Sequence, residues 1–222
     1  MSDPKFYPHP DSATVAIIAH AGAQQSIDDF RPKWEALPAR LMFSLPEGEY
    51  LQGVGITVHL GMNAYSGLEV FRRFTLTLEA ALRTAAETIV IAEYDTVPLR
   101  PVLPYVEPGY VSSFFTLAPA LSDSSKVQVC ALSPWSMDHR TGDRLLDACK
   151  ESLETDPDHP EGNGLLDRWL GTLILRHQIP SIVGPDLLGY PWHDGVNDRI
   201  RHMGYNWIHG WKRKEEFGDL WT

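Results

Sequence analysis

Two carboxylates one residue apart, Glu93 and Asp95, close the run Thr88-Ile-Val-Ile-Ala-Glu-Tyr-Asp-Thr-Val-Pro98. The residues before them are apolar and mostly β-branched, the pattern of a strand buried on both faces of a parallel sheet. An unpaired charge inside such a strand is very costly, so the acids belong at its carboxyl end, where open α/β sheets hold their ligands. Carboxylates presented there suit a hard divalent cation, which binds through one or two such groups together with substrate phosphates. A solvated strand-to-loop corner is the alternative reading of the same tripeptide.

A second group of reactive side chains stands near the other end, in Trp207-Ile-His209-Gly-Trp-Lys212. An imidazole can add a nitrogen ligand to a carboxylate-held cation. An amphipathic tail, with its Trp residues packed and with His209 and Lys212 in water, fits this segment equally well. Asp167 opens a helical stretch, where a carboxylate is favoured by the helix dipole alone.

Glu93-Tyr94-Asp95 resembles the acid-x-acid signature, commonly Asp-x-Asp, of glycosyltransferases with the GT-A fold. That resemblance implies Mn²⁺ or Mg²⁺ held at a strand end against the pyrophosphate of a nucleotide sugar, UDP-linked in the first instance. It makes Glu93 and Asp95 metal ligands, Asp95 the more direct, and His209 a third ligand. Gly210 and Lys212 then lie where some members bring backbone and ammonium to the phosphates, although the spacing is tighter than His-x-x-Gly-x-x-Lys. Asp167 resembles the general base that deprotonates an acceptor hydroxyl. His20, Gly22 and Asn63 fall where the nucleotide base and ribose bind, though each is also ordinary turn chemistry. The acceptor implied is a glycan, a lipid, a protein or a modified nucleic-acid base.

The elements that must position these residues follow from periodicity. Thr14 to Ala19 and Arg40 to Leu45 read as strands, with a helix over Ile27 to Leu37 that holds Pro32 in its first turn or breaks there. Ser66 and Glu69 form a capping-box pattern, and Leu68, Phe71, Thr75, Leu78 and Leu82 continue at helical spacing to about Ala85. Arg72 and Arg73 fall mostly outside that apolar face. Prolines at 98, 101, 104 and 108 mark a surface connection, and Val127 to Leu132 is a further strand. A polar loop over 156–164, with Asn163 as a cap, leads into a helix over Leu165 to His177, and a short strand follows at Pro180 to Gly184. Tyr190-Pro-Trp-His-Asp194 sets aromatics beside polar groups, as sugar-binding surfaces and packed corners both do. The expected fold is α/β: one Rossmann-like, GT-A-like domain with a mixed, mainly parallel sheet flanked by helices.

Composition narrows the function. With 222 residues and 43% hydrophobic residues the chain can bury the core of one domain. No apolar run approaches the roughly 20 residues that cross a bilayer, and Met1-Ser-Asp-Pro-Lys lacks the layout of a secretion signal. Cys130 and Cys149 are too few for a disulfide framework, so a cytoplasmic setting is expected. A net charge of −10 disfavours long-range attraction to nucleic acid or anionic membranes. Neither a Gly-x-Gly-x-x-Gly nor a Gly-Lys-Ser/Thr phosphate loop is present. Two other functions use the same acids: a nucleotidyltransferase or phosphohydrolase, and a GT-A-like nucleotide- or sugar-binding protein without turnover.

Overall fold

The apolar run that ends at Glu93 becomes β4 (Thr88–Glu93), and its parallel neighbour is the first apolar run, β1 (Ala13–Ile18). In this computed structural model residues 12–62, 67–119, 125–155, 165–185, 187–189 and 206–210 are described. Next to β1 lie β2 (Arg40–Leu45) and then β3 (Thr57–His59), both parallel to it. On the other side, β4 pairs antiparallel with the long strand β7 (Val127–Asp138), followed by β6 (Val111–Pro119) and β8 (Ser181–Val183). The resulting sheet has seven strands in the order β3-β2-β1-β4-β7-β6-β8. Every pairing but those of β7 is parallel, so β7 alone runs the other way. The fold is α/β with a mixed, mainly parallel central sheet in one domain.

Alternation along β4 feeds two cores. Ile89 and Ile91 face a layer built from α2 (Leu68–Leu82), α3 (His139–Thr155) and α4 (Leu166–Arg176). There Phe71 stacks on Trp169 with ring centroids 4.5 Å apart, and Phe74 meets Trp135 edge-on at 5.2 Å. Val90 and Ala92 face the opposite layer, where α1 (Gln24–Glu35) contributes Ile27, Phe30 and Trp34. A small sheet completes that layer, with β5 (Thr96–Pro98), β10 (Trp207–His209) and β9 (Leu187–Gly189) in the order β5-β10-β9. Among the described residues no helix is long and apolar enough to cross a membrane.

Several expectations need correction. α1 starts earlier than the pattern suggested and carries Pro32 in its body, because buried Phe30 and Trp34 anchor it on either side of the lost hydrogen bond. Arg73 is buried rather than exposed. Its guanidinium donates to the carbonyl of Ala19 and, at 2.7 Å, to that of Ser44, so the cation ties together the carboxyl ends of β1 and β2. Gly67 occupies the α2 cap position, with φ 78° and no side-chain cap bond, and Glu69 pairs with Arg72. The Pro-rich connection is not wholly superficial, since it buries Leu103 and Val106. Leu165, with no side-chain cap bond, precedes α4. Ser66, Asn163, the 156–164 loop and the 190–194 segment lie outside the described residues.

α3 begins directly after Asp138, whose Oδ1 accepts the Thr141 N–H at 2.8 Å and whose Oδ2 accepts the Thr141 hydroxyl at 3.0 Å and the Gly109 N–H. Burial alone would raise the Asp138 pKa, but the N–H groups of Gly109, Thr141 and Arg140 and the Thr141 hydroxyl outweigh it and hold the carboxyl below its ordinary value. A depressed folded-state pKa stabilises fully above the unfolded value, and the contribution disappears as pH falls through the folded one. Asp138→Ala should therefore cost about 1–2 kcal/mol at neutral pH in urea unfolding, the range for losing a helix cap. The gap from the wild type should shrink once pH drops below about 4, the unperturbed Asp value. A gap that is constant from neutral to acid pH would contradict this role.

Candidate metal centre

From β1 the chain turns toward β2 and β3, whereas from β4 it turns toward β7 and β6, so strand order reverses between these two parallel neighbours. Crevices outside the carboxyl ends at such a reversal are where open α/β sheets bind ligands. Ile18 and Glu93 pair at that end, and the Tyr94 N–H reaches the Ile18 carbonyl at 3.0 Å. The acids thus sit at the mouth of the crevice.

His209 arrives there through β10. This strand pairs antiparallel with β5, which sets His209 opposite Thr96, and the Gly210 N–H bonds the Asp95 carbonyl at 3.0 Å. Gly210 has φ 101°, a conformation that favours glycine and turns its N–H toward Asp95. That N–H is therefore already used within the protein rather than left for a phosphate. Trp207 anchors the strand through its indole N–H to the Val102 carbonyl at 2.9 Å.

The three side chains converge. Nδ1 of His209 lies 3.6 Å from Asp95 Oδ1 and 3.8 Å from Glu93 Oε2. One ligand atom from each residue falls within a 4.8 Å span, compact enough for one cation. Exposure grades from 33% for the Glu93 side chain through 15% for Asp95 to 8% for His209, so the His and Asp form the floor and Glu93 the rim. Asp95 Oδ1 is buried without a hydrogen-bond partner, while Glu93 stands nearby with the same charge. Buried carboxylate oxygens normally have donors, and a divalent ion would satisfy this one and offset the like charges.

Two hydroxyls absent from the sequence-based candidates complete the site. Ser133, on β7, accepts the Glu93 N–H at 2.9 Å and the Thr96 hydroxyl at 2.7 Å. Thr96 lies 2.9 Å from Nδ1 of His209. Thr96 gives its own proton to Ser133, and its oxygen meets the same ring nitrogen, Nδ1, that lies nearest both carboxylates. Thr96 follows the acid pair directly and was available to a closer reading. Ser133 carries no local signal, because only the pairing of β4 with β7 brings it there.

The remaining candidates divide. His20 follows β1, and its ring meets Tyr94 edge-on at 5.1 Å, so it borders the crevice. Gly22 leaves room for that ring, since a Cβ there would stand 3.0 Å from His20 Nδ1. Asp167 opens α4 beside Cys130 and is not one of the three clustered residues. Burial first, and then the Asp167 carboxylate, push the Cys130 thiol up to about 11. Gly171 allows this seating of α4, because a Cβ there would fall 2.2 Å from the Val129 carbonyl oxygen. Asn63 and Lys212 lie outside the described residues.

Comparison with known proteins adds no family assignment: no protein-family model matches the chain, and no curated protein is detectably similar to it.

Charge at the floor of the site yields an opposite-signed pair of effects. Asp95→Asn removes like-charge repulsion and an unsatisfied buried anion, so its Tm without metal should equal or exceed that of the wild type. Mn²⁺ at about a hundredfold excess over its Kd should stabilise the wild type by about 2.7 kcal/mol and leave the variant unmoved. Thermal melts with and without Mn²⁺ read both effects, and equal Mn²⁺ stabilisation of the two proteins would contradict the site.

Proposed function

We propose that this protein is a divalent-metal-dependent glycosyltransferase of the GT-A type, which moves a sugar from a nucleotide-sugar donor, UDP-linked, to an acceptor hydroxyl. The observation that carries the reading is the meeting of Glu93, Asp95 and His209 at the carboxyl end of β4, beside the reversal between β1 and β4. A ligand in that crevice would have its phosphates at the acid pair and its nucleoside toward the end of β1. The acid-x-acid resemblance and the orphaned Asp95 oxygen point the same way.

In this reading Asp95 and His209 hold Mn²⁺ or Mg²⁺ at the floor and Glu93 completes the set at the rim. When bound, the ion supplies positive charge where the departing diphosphate accumulates negative charge. His20, above Gly22, flanks the nucleoside, and Asn63 and Lys212 remain candidates for nucleotide and phosphate contacts. Asp167 is the candidate base for the acceptor hydroxyl. α4 packs on the face toward which Glu93 points by alternation with Ile89 and Ile91, so Asp167 opens a helix on that side of the sheet. The acceptor is a glycan, lipid, protein or modified base, with nucleic acid the least favoured by a net charge of −10.

Calorimetry with UDP, with and without Mn²⁺, followed by a UDP-sugar hydrolysis assay, tests the reading. Metal-dependent UDP binding with slow release of free sugar is the expected result. Binding without any hydrolysis would favour a turnover-less binding protein, and no metal-dependent UDP binding would overturn the proposal. Asp167→Asn should lower transfer by about 100-fold or more and leave UDP binding intact, because base catalysis acts on the transition state. Unchanged transfer would reduce Asp167 to a helix-terminus residue.

A further inference from the structure

A third carboxylate borders the crevice, and it comes from the segment after β2. Oε2 of Glu49 accepts the N–H of Ala21, the first residue of the short 3-10 turn Ala21–Ala23 that leads from β1 into α1. The chain beyond Glu49 is fastened along α1. The Gln24 side chain accepts the Gln52 N–H at 2.8 Å and donates to the Gln52 carbonyl at 3.3 Å, and Arg31 donates to the Gly53 carbonyl at 2.6 Å. Arg73 holds the same turn from the core by donating to the Ala19 carbonyl. His20, next to Ala21, meets the ring of Tyr94, and Tyr94 stands between Glu93 and Asp95. A chain of contacts thus runs from Glu49 across the β1 turn to the acid pair.

We propose that Glu49 is a specificity-determining residue that receives the ribose hydroxyls of the bound nucleotide. The inference rests on the nucleotide-site part of the proposed function. Backbone N–H groups where a helix begins are natural partners for phosphate. Here the Ala21 N–H already holds a carboxylate, whose charge repels a phosphate from the turn after β1. The phosphates are left to the cation end of the crevice, and the group that reaches Glu49 must be neutral and carry donors. Vicinal hydroxyls meet both conditions. A carboxylate accepts up to about four hydrogen bonds, so Glu49 can keep the turn in place and receive a diol as well. Its side chain is half-buried, so it stays within reach of a ligand. A carboxylate that follows the second strand and reaches the first strand's turn is also how open α/β sheets take a ribose. Charge sign therefore sets the direction of the ligand as well as its sugar.

The test is calorimetry on the full chain at saturating Mn²⁺, with UDP, 2′-deoxy-UDP and 3′-deoxy-UDP as probes. The wild type should bind UDP about 10-fold or more tightly than at least one deoxy analogue, the size of one hydrogen bond to a charged group. Glu49→Gln keeps an oxygen for the Ala21 N–H but loses the charge. It should weaken UDP about 10-fold, since bonds to a charged acceptor are about twice as strong as neutral ones, and should narrow the ratio between UDP and that analogue. Glu49→Asp keeps the charge but withdraws it by one methylene; it should narrow the ratio too, and it decides the matter if Glu49→Gln does not fold. A purely structural role of Glu49 would weaken all three nucleotides alike and leave the ratio unchanged. That result, or equal binding of the three nucleotides by the wild type, would overturn the role of Glu49 and leave the metal site standing. A wild-type chain that shows no Mn²⁺-dependent binding of UDP would instead overturn the function on which the inference rests.

Discussion

β4 is paired on both edges and covered on both faces, so nothing charged is tolerated between Thr88 and Ala92. Charge becomes affordable only where the strand leaves the sheet, and there Glu93 and Asp95 follow within three residues. The location of the site is thus a consequence of desolvation. The strand order then decides what else can reach it: β1 brings His20 to one side, and β7 brings Ser133 to the other.

A second constraint is the return of the chain at 206–210. Three residues of β10 pair with β5, and this short ladder delivers His209 to the acids 114 positions earlier (from Asp95 to His209). Trp207 and Ile208 fill the core under α1 while His209 faces the crevice. The same few residues therefore close a hydrophobic layer and complete a polar site. Packing energy from the two apolar side chains holds the imidazole beside an unsatisfied carboxylate that would otherwise gain by moving toward water.

Much of the frame was legible in the residues. β4 and its terminal acids stand out because an apolar run ends so sharply, and α2 and α4 because large apolar side chains recur at helical spacing. α3 was overlooked because its buried face uses Thr141, Gly142, Ala148, Cys149 and Ser152 alongside two leucines, a stripe too small and polar to stand out. Arg73 was misplaced because helical spacing sets it off the apolar face of α2, whereas the carbonyls that receive its guanidinium come from segments distant in sequence. β10 read equally as a tail, since a three-residue strand has no period and its partner lies far away in sequence. Glu93, Asp95 and His209 were legible as residue types, and their convergence required the fold. Ser133 was invisible for the same reason: it matters only through the β4–β7 pairing.

The central claim is that one divalent ion, shared with a nucleotide diphosphate, belongs between Asp95, His209 and Glu93. Anomalous diffraction at the manganese edge, from crystals grown with Mn²⁺ and UDP, addresses it directly. The account predicts a single strong peak within about 2.5 Å of Asp95 and His209 atoms, the span of divalent-cation bonds, with diphosphate oxygens on its open side. A peak elsewhere on the molecule, or none at saturating Mn²⁺ and UDP, would contradict it.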